Sequence, residues 1–569
     1  MKPGFWIRLN AFWIDSLIII VGMDLFFFLL YHQPIEIYLP FELLTIIAAI
    51  AYSTILVTTK GFTIGKNLCG LQVIKKDGTR PGFFRALFRE SIAKAISSVP
   101  LFLGFFRIGF SRSKRGWHDH LSGSSVIRKP RSKKMALIAV LLPLFVTLFL
   151  TRDFVYYSFT LFPRAIAFKQ YKPSPPAYLK SDLSRLKEVS SIDSSMDTSF
   201  VQWLDRNAKS PEEFAVQVAG AHEVTLFGEM HNQEDNLLFF NSIIPDLYFR
   251  AGVRCVAMEC IPCEMNGRLK KLVTTKTFDK KLALEIARTQ GWGLWGDKEY
   301  WDVLETVWKL NTRIVSESDK MELIGIDTEW DMPSIALLGV GDAPLSSPLW
   351  EKLRILRLPS SFLKVILRDE IMAANIETEI IRKNIKAVVL VGSEHAHTHY
   401  AFMRKINGTE KFWYRMGYLL HDKYGDKIAE VTLHHLFMSH DYDWNKPLLS
   451  KFIERIMQNR GNVPIGFSLK DSPFENLRDS TTLEFYNQPL LRFADIAEGY
   501  IFLKPNFKHG RTHWTDGYIS KKMFMKNKPF YEGFLMSKMK EGEDKSKWKD
   551  SVIRFRNSKE VNDFMKKIW

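Results

Sequence analysis

The sequence predicts two parts of unlike class. The first is an α-helical membrane domain over residues 1–152. The second, over residues 216–510, is a soluble α/β domain with a mainly parallel sheet flanked by helices. Three observations predict this. Long apolar runs and basic loops fill the first part. Short apolar runs alternate with helical periodicity in the second, as βα units require. Finally, several of those short runs end in a carboxylate or a histidine, where open parallel sheets bind ligands.

Composition sets the frame. The 569 residues exceed one domain, and the formal net charge is +17 with 46% apolar residues. Much of the basic excess flanks apolar segments, so lipid rather than nucleic acid is the expected partner. Cys69, Cys255, Cys260 and Cys263 make no disulfide framework, and Cys260-Ile-Pro-Cys263 lacks the second pair of a metal knuckle.

In the first part, Ala11 to Tyr31, Phe41 to Val57 and Met135 to Thr151 are candidate spans. Ala86 to Phe110 is interrupted by Arg89, Glu90, Lys94 and Arg107 and suits an amphipathic or partly inserted helix. The first run carries Trp13 and Asp15 and no cleavage site follows it, unlike a signal peptide. The loops with Lys60 to Arg85 and Arg112 to Lys134 are basic and so expected in the cytoplasm. That places the large second part outside the cytoplasm of a multi-pass protein of an inner or plasma membrane. If Ala86 to Phe110 crosses, it lies inside instead. Asp15 and Asp24 need partners within the bilayer, and Arg8, about two turns before Asp15, is one candidate.

Arg8-Leu-Asn-Ala-Phe-Trp-Ile-Asp15, then Gly61-Phe-Thr-Ile-Gly65-Lys66 with Gly70, then Trp117-His-Asp119, resembles the RDD family of small membrane domains. The resemblance covers roughly residues 3–128. Its naming arginine and two aspartates correspond to Arg8, Asp15 and Asp119. It implies ion transport for some members; a structural anchor with paired buried charges is the other reading. Gly61 to Lys66 is not a phosphate loop, being one residue short, with Asn67 where Ser or Thr would hold magnesium.

Residues 153–215 read as a linker, proline-rich at Tyr171 to Tyr178 and loop-like at Ser190 to Ser199. In the second part, strands are expected at Val224–Phe227, Arg254–Glu259, Glu322–Asp327, Ala387–Val391, Lys427–Leu433 and Tyr500–Leu503. Helices are expected at Asn236–Phe249, Leu282–Thr289, Tyr300–Asn311 and Ile366–Ile385. Glu229, His231, Glu259, Asp327, Glu394 and His395 then fall at carboxyl ends of strands.

Val224-Thr-Leu-Phe-Gly-Glu-Met-His231 and Ala387-Val-Val-Leu-Val-Gly-Ser-Glu-His395 repeat one design: an apolar run, Gly-x-x-His, and a neighbouring glutamate. Such a pair of histidines with carboxylates suits a divalent metal (zinc, manganese or iron) on Glu229, His231 and His395. It equally suits a metal-free histidine base, or haem iron on His231 and His395. No Gly-x-Ser-x-Gly elbow is present. His397 and His399 read as solvent-facing, His434 and His435 as structural, and Trp292, Trp295 and Trp301 as core or rim. The basic stretch from Lys521 to Lys567, within an extension over 511–569, reads as a solvated helical tail.

Gly228-Glu-Met-His231 and Gly392-Ser-Glu-His395 resemble the paired motifs of the Tiki/TraB superfamily. That group includes the ChaN haem-binding lipoproteins and erythromycin-esterase-like proteins. Arg368-Asp-Glu-Ile-Met-Ala-Ala-Asn375 and Glu498-Gly-Tyr-Ile-Phe-Leu503 extend the match. By matching motif, Glu229, His231, Glu259, Arg368 and His395 carry over as site residues. The resemblance implies hydrolysis of an ester or peptide bond in a small molecule or peptide, or haem binding. This chain has no lipobox at its start.

Overall fold

The computed structural model describes residues 3–30, 41–98, 103–130, 141, 156–290, 295–329, 363–364, 366–406, 409–439, 443, 445–486, 488–525 and 556–568. The expected span Met135 to Thr151 falls outside them apart from Leu141, as do Trp292 and most of the basic stretch after Lys521. The chain divides into two compact units; among the described residues the first ends at Tyr156 and the second begins at Tyr157.

The N-terminal unit is helical. It runs α1 (Phe5–Leu30), α2 (Phe41–Lys60), α3 (Ile64–Leu68), α4 (Phe83–Glu90), α5 (Ile92–Ser98), α6 (Leu103–Phe110) and α7 (Trp117–Leu121), with one antiparallel pair, β1 (Leu71–Lys75) and β2 (Ser124–Arg128). Judged on the described residues alone, no single helix is long and apolar enough to cross a membrane. The run from Ala86 to Phe110 is broken into three helices. Arg89 and Glu90 within it are buried rather than turned out.

The second unit is a three-layer sandwich. Its seven-stranded sheet comprises β3 (Val224–Glu229), β4 (Cys255–Pro262), β5 (Glu322–Asp327), β6 (Ala387–Gly392), β7 (Ile428–Leu433), β8 (Ile465–Ser468) and β9 (Gly499–Phe502). The spatial order is β8-β9-β7-β3-β6-β4-β5, and only β8 is antiparallel. Six expected strands are therefore present in parallel array. β8 is additional; its four residues are too short to show a pattern.

The central strands are buried on both faces, and their residues alternate between two cores. Phe227, Val256, Met258, Val388 and Leu390 point into one core. Helices α10 (Pro211–Ala221), α11 (Glu234–Ala251) and α13 (Lys298–Asn311) cover that core. Leu226, Cys255, Ala257, Ala387 and Val389 point into the other core, beneath α14 (Arg368–Glu379) and α16 (Met416–Tyr424). The helix expected over Ile366–Ile385 ends at Glu379, because Ile381–Lys383 tightens to a 3-10 turn and Asn384 takes φ 53°.

The linker is partly folded. α8 (Phe162–Gln170) buries Phe168 against the second core, and α9 (Asp197–Asn207) buries Phe200 and Leu204 near the β8 edge. The expected solvated tail also joins the domain. Trp514, Tyr518 and Phe524 enter the first core with Val561 and Met565 of α18 (Ser558–Ile568). Apolar residues three and four apart, read as interleaving in a basic tail, are its buried stripe.

Candidate functional sites

In the second unit, register builds the cleft. Glu229 of β3 stands directly opposite Gly392 of β6, and Met258 of β4 pairs with Leu390 of the same strand. Glu229, Gly392 and Glu259 therefore sit nearly abreast on three neighbouring strands at the carboxyl edge. Gly392 must be small: a Cβ there would stand 3.0 Å from His231 Cε1 and 3.4 Å from Glu259 Oε2. Its N–H donates to Glu259 Oε2 at 2.7 Å.

The two histidines are held differently. His231 Nδ1 lies 2.5 Å from Glu229 Oε1, which also accepts the Tyr300 hydroxyl at 2.9 Å. The ring edge rests on Trp295, 4.7 Å between centroids. Burial pushes the His231 pKa down, but the Glu229 carboxylate outweighs it and holds it up at about 9. Its Nε2 makes no hydrogen bond among the described residues, and the side chain is 31% exposed.

His395 has neither nitrogen open. Arg368 Nη1 lies 2.9 Å from Nε2, and Asp369 Oδ1 lies 2.7 Å from Nδ1. Guanidinium has only donors, so Nε2 accepts and the ring proton sits on Nδ1, donating to Asp369. Asp369 in turn accepts from Met416 N at 2.9 Å and Arg415 Nη1 at 3.2 Å. The adjacent Glu394, expected as the partner of His395, is exposed and pairs with Arg415.

Arg368 is the hub. It donates to Glu259, to Asp327 at 2.9 and 3.0 Å, and to His395. Burial tends to raise the Glu259 pKa, but Arg368 and the nearby histidines bring it down to about 2. Asp327 goes the other way, because burial outweighs Arg368.

All five residues carried over by motif thus converge, with Asp327. Asp369 and Tyr300 were missed. Asp369 follows Arg368 directly, but only the fold shows that it faces His395. Tyr300 opens a helix whose periodicity marks it as core.

A shared metal on Glu229, His231 and His395 does not fit these residues. A guanidinium occupies the ground between Glu259, Asp327 and His395, and both His395 nitrogens are engaged. Among the described residues, the groups whose donor atoms converge within 4.8 Å are His399–His421–Glu498 and Glu234–Glu299–His513. Two-histidine ligation of haem meets the same obstacle at His395, so only His231 retains a nitrogen for iron. Two further expectations are corrected. His397 is buried, 3.1 Å from Glu430, instead of facing solvent, and His399 is only half-exposed. His434 is buried and bonded to Tyr500 at 2.7 Å, in line with a structural role.

The N-terminal unit holds a second cluster. Asp119 accepts from Arg8 Nη1 at 2.6 Å and from Arg89 Nη2 at 2.8 Å, and Arg89 also pairs with Glu90. Asp15 is not the partner of Arg8. It accepts instead from Thr63 Oγ1 at 2.5 Å, Gly65 N at 2.7 Å and Tyr52 OH at 2.9 Å. Arg8 donates instead to Asp119 and to the Pro3 and Lys114 carbonyls. Gly65 is required here, since a Cβ would fall 2.2 Å from the Ala11 carbonyl oxygen. The three separated motifs of the sequence are thus one packed object.

The RDD family profile matches residues 2–123. The uncharacterized protein YckC of Bacillus subtilis (strain 168) is 30% identical over 132 residues, 22% of this chain and 84% of that protein. The chain belongs to the RDD family. The uncharacterized membrane protein YteJ of the same organism is 25% identical over 139 residues, 23% of this chain and 84% of its own length. The RDD match thus accounts for the N-terminal unit.

Two solved structures align with parts of the chain. An erythromycin esterase mutant, EreC, aligns with TM-score 0.34 and 13% identity over 51% of this chain and 92% of its own. ChaN of Campylobacter jejuni, solved with cofacial haem, aligns with TM-score 0.25 and 17% identity over 39% and 86%. At these TM-scores the chemistry of the cleft rests on its own residues.

Proposed function

We propose that the protein is a membrane-anchored hydrolase of ester or amide bonds, with His231 as its proton-transfer residue. The observation that carries this is the Tyr300–Glu229–His231 chain. It pins Nδ1 and leaves Nε2 at the cleft, the arrangement a general acid–base histidine needs. Neutral His231 would take a proton from water through Nε2, and its protonated form would return it to the leaving group. Glu229 steadies the imidazolium. Arg368 is committed to Glu259, Asp327 and His395, so its role is to set the floor of the cleft and lend it positive potential.

The RDD unit would supply the anchor, in a multi-pass arrangement with the α/β unit outside the cytoplasm. A reporter fused after Trp569 that is active only in the cytoplasm would overturn that placement. For the chemistry, the full chain is assayed on a panel of p-nitrophenyl esters. Hydrolysis is expected to fall at least about 100-fold in His231→Asn, consistent with the ~10²–10⁴-fold worth of acid–base catalysis. An unchanged rate in a folded His231→Asn variant contradicts the proposal.

A further inference from the structure

Away from the cleft, three residues from distant parts of the chain bring their donors together. His399 follows the short helix α15 (Ser393–Ala396), His421 lies on α16, and Glu498 immediately precedes β9. His399 Nε2 lies 3.3 Å from Glu498 Oε1. The two imidazoles meet edge to face, with centroids 4.3 Å apart at 73°. One donor atom from each residue lies within 4.8 Å of the others, and all three side chains are half-buried. Ligands of a tetrahedral zinc stand roughly 3.3 Å apart, so a cation needs only small rotations to sit among them.

We propose that His399, His421 and Glu498 form a structural site for a divalent transition metal of the zinc class.

The donor set is right for such an ion: two imidazoles and one carboxylate, with a fourth position for water. A second feature has the character of an outer shell. The Thr398 hydroxyl donates to Glu498 Oε1, which fixes the carboxylate as ligating carboxylates usually are fixed. The surroundings also favour a cation. Asp495 and Glu430 bear electrostatically on His399, and Asp422 and Asp426 on His421.

The site would tie α16 to the segment that carries His395. The same helix begins at Met416, whose N–H holds Asp369, the partner of His395. A metal here would therefore brace the cleft from behind without entering it. This inference does not depend on the hydrolase proposal.

The test is titration of the purified full chain with Co²⁺, read by its visible d–d absorption, and with Zn²⁺, read by elemental analysis after desalting. Wild type is expected to take one equivalent. His399→Asn and His421→Asn should lose it, and Thr398→Val should weaken it roughly 10–100-fold. His231→Asn should keep it. Zn²⁺ should raise the melting temperature of wild type but not of His421→Asn. Three results would overturn the site: no stoichiometric uptake by folded wild type, uptake unchanged in both ligand variants, or uptake lost in His231→Asn but retained in His399→Asn.

Discussion

Arg368 Nη1 stands 2.9 Å from Nε2 of His395 and takes up the lone pair that a base or a metal would use. The two Gly-x-x-His motifs are therefore unequal partners. One histidine is tied on both nitrogens to a cation and an acid. The other keeps a nitrogen for chemistry.

The hub can be tested by stability. Arg368→Ala leaves Glu259 and Asp327 buried without the guanidinium that both of them accept from, and each is at most 2% exposed. Breaking a buried pair by removing one partner costs roughly 3–5 kcal/mol. Chemical denaturation should show a loss of that order. Arg368→Lys should recover part of it, because it restores the charge but not the fork that reaches three partners.

Stability should depend on pH at both ends of the range. His231 is raised to about 9 from 6.5, so its contribution is fully present below pH 6.5 and is lost as pH rises through about 9. The loss should be on the order of 3 kcal/mol. Glu259 is lowered to about 2, so its contribution is present above pH 4.5 and is lost as pH falls through about 2. Thermal melts from pH 2 to pH 10 should therefore decline toward both ends. His231→Asn should flatten the alkaline decline, while Arg368 keeps most of the acid-side dependence in place.

Gly392→Ala tests the close approach at the centre of the cleft. The added methyl meets His231 Cε1 at 3.0 Å, so the ring must shift. Overpacking of this kind costs about 1–3 kcal/mol. Hydrolysis should fall by more than the loss of stability accounts for, because the displaced ring is the one proposed to move the proton. Steady-state rates and melts on the same preparation separate the two.

In the RDD unit, Gly65→Ala places a methyl against the Ala11 carbonyl and the Asp15 carboxylate. Asp119→Asn weakens the bonds to Arg8 and Arg89 together. Both variants should lower the melting temperature of detergent-solubilised protein. Asp119→Asn should cost more than a surface acid such as Asp77→Asn, because Asp119 is fully buried and Asp77 is exposed.

Much of this was legible in the chain. Six of the seven sheet strands announced themselves as apolar runs, because a parallel strand buried on both faces has no polar alternation to confuse it. The site residues Glu229, His231, Glu259 and Asp327 followed from their place at strand ends. The partners did not. Glu394 neighbours His395 in sequence, yet the short helix α15 turns it outward and presents His395 to Asp369 from α14. Arg8 and Asp15 share a helix face, yet Arg8 reaches over to Asp119 and Asp15 to Thr63. Spacing along a chain shows which groups can meet only within an element; across elements the packing decides. The tail failed for a related reason, since Val561 and Met565 are too few to mark a core helix against so many lysines.

The most direct test of the proposed chemistry is the pH dependence of ester hydrolysis by the full chain. If neutral His231 is the base, kcat/KM should rise with pH to a plateau, with a midpoint near about 9, and His231→Asn should abolish the rise while His395→Asn, if folded, retains its midpoint. A rate independent of pH through that range, or a midpoint that follows His395 instead of His231, would contradict the account.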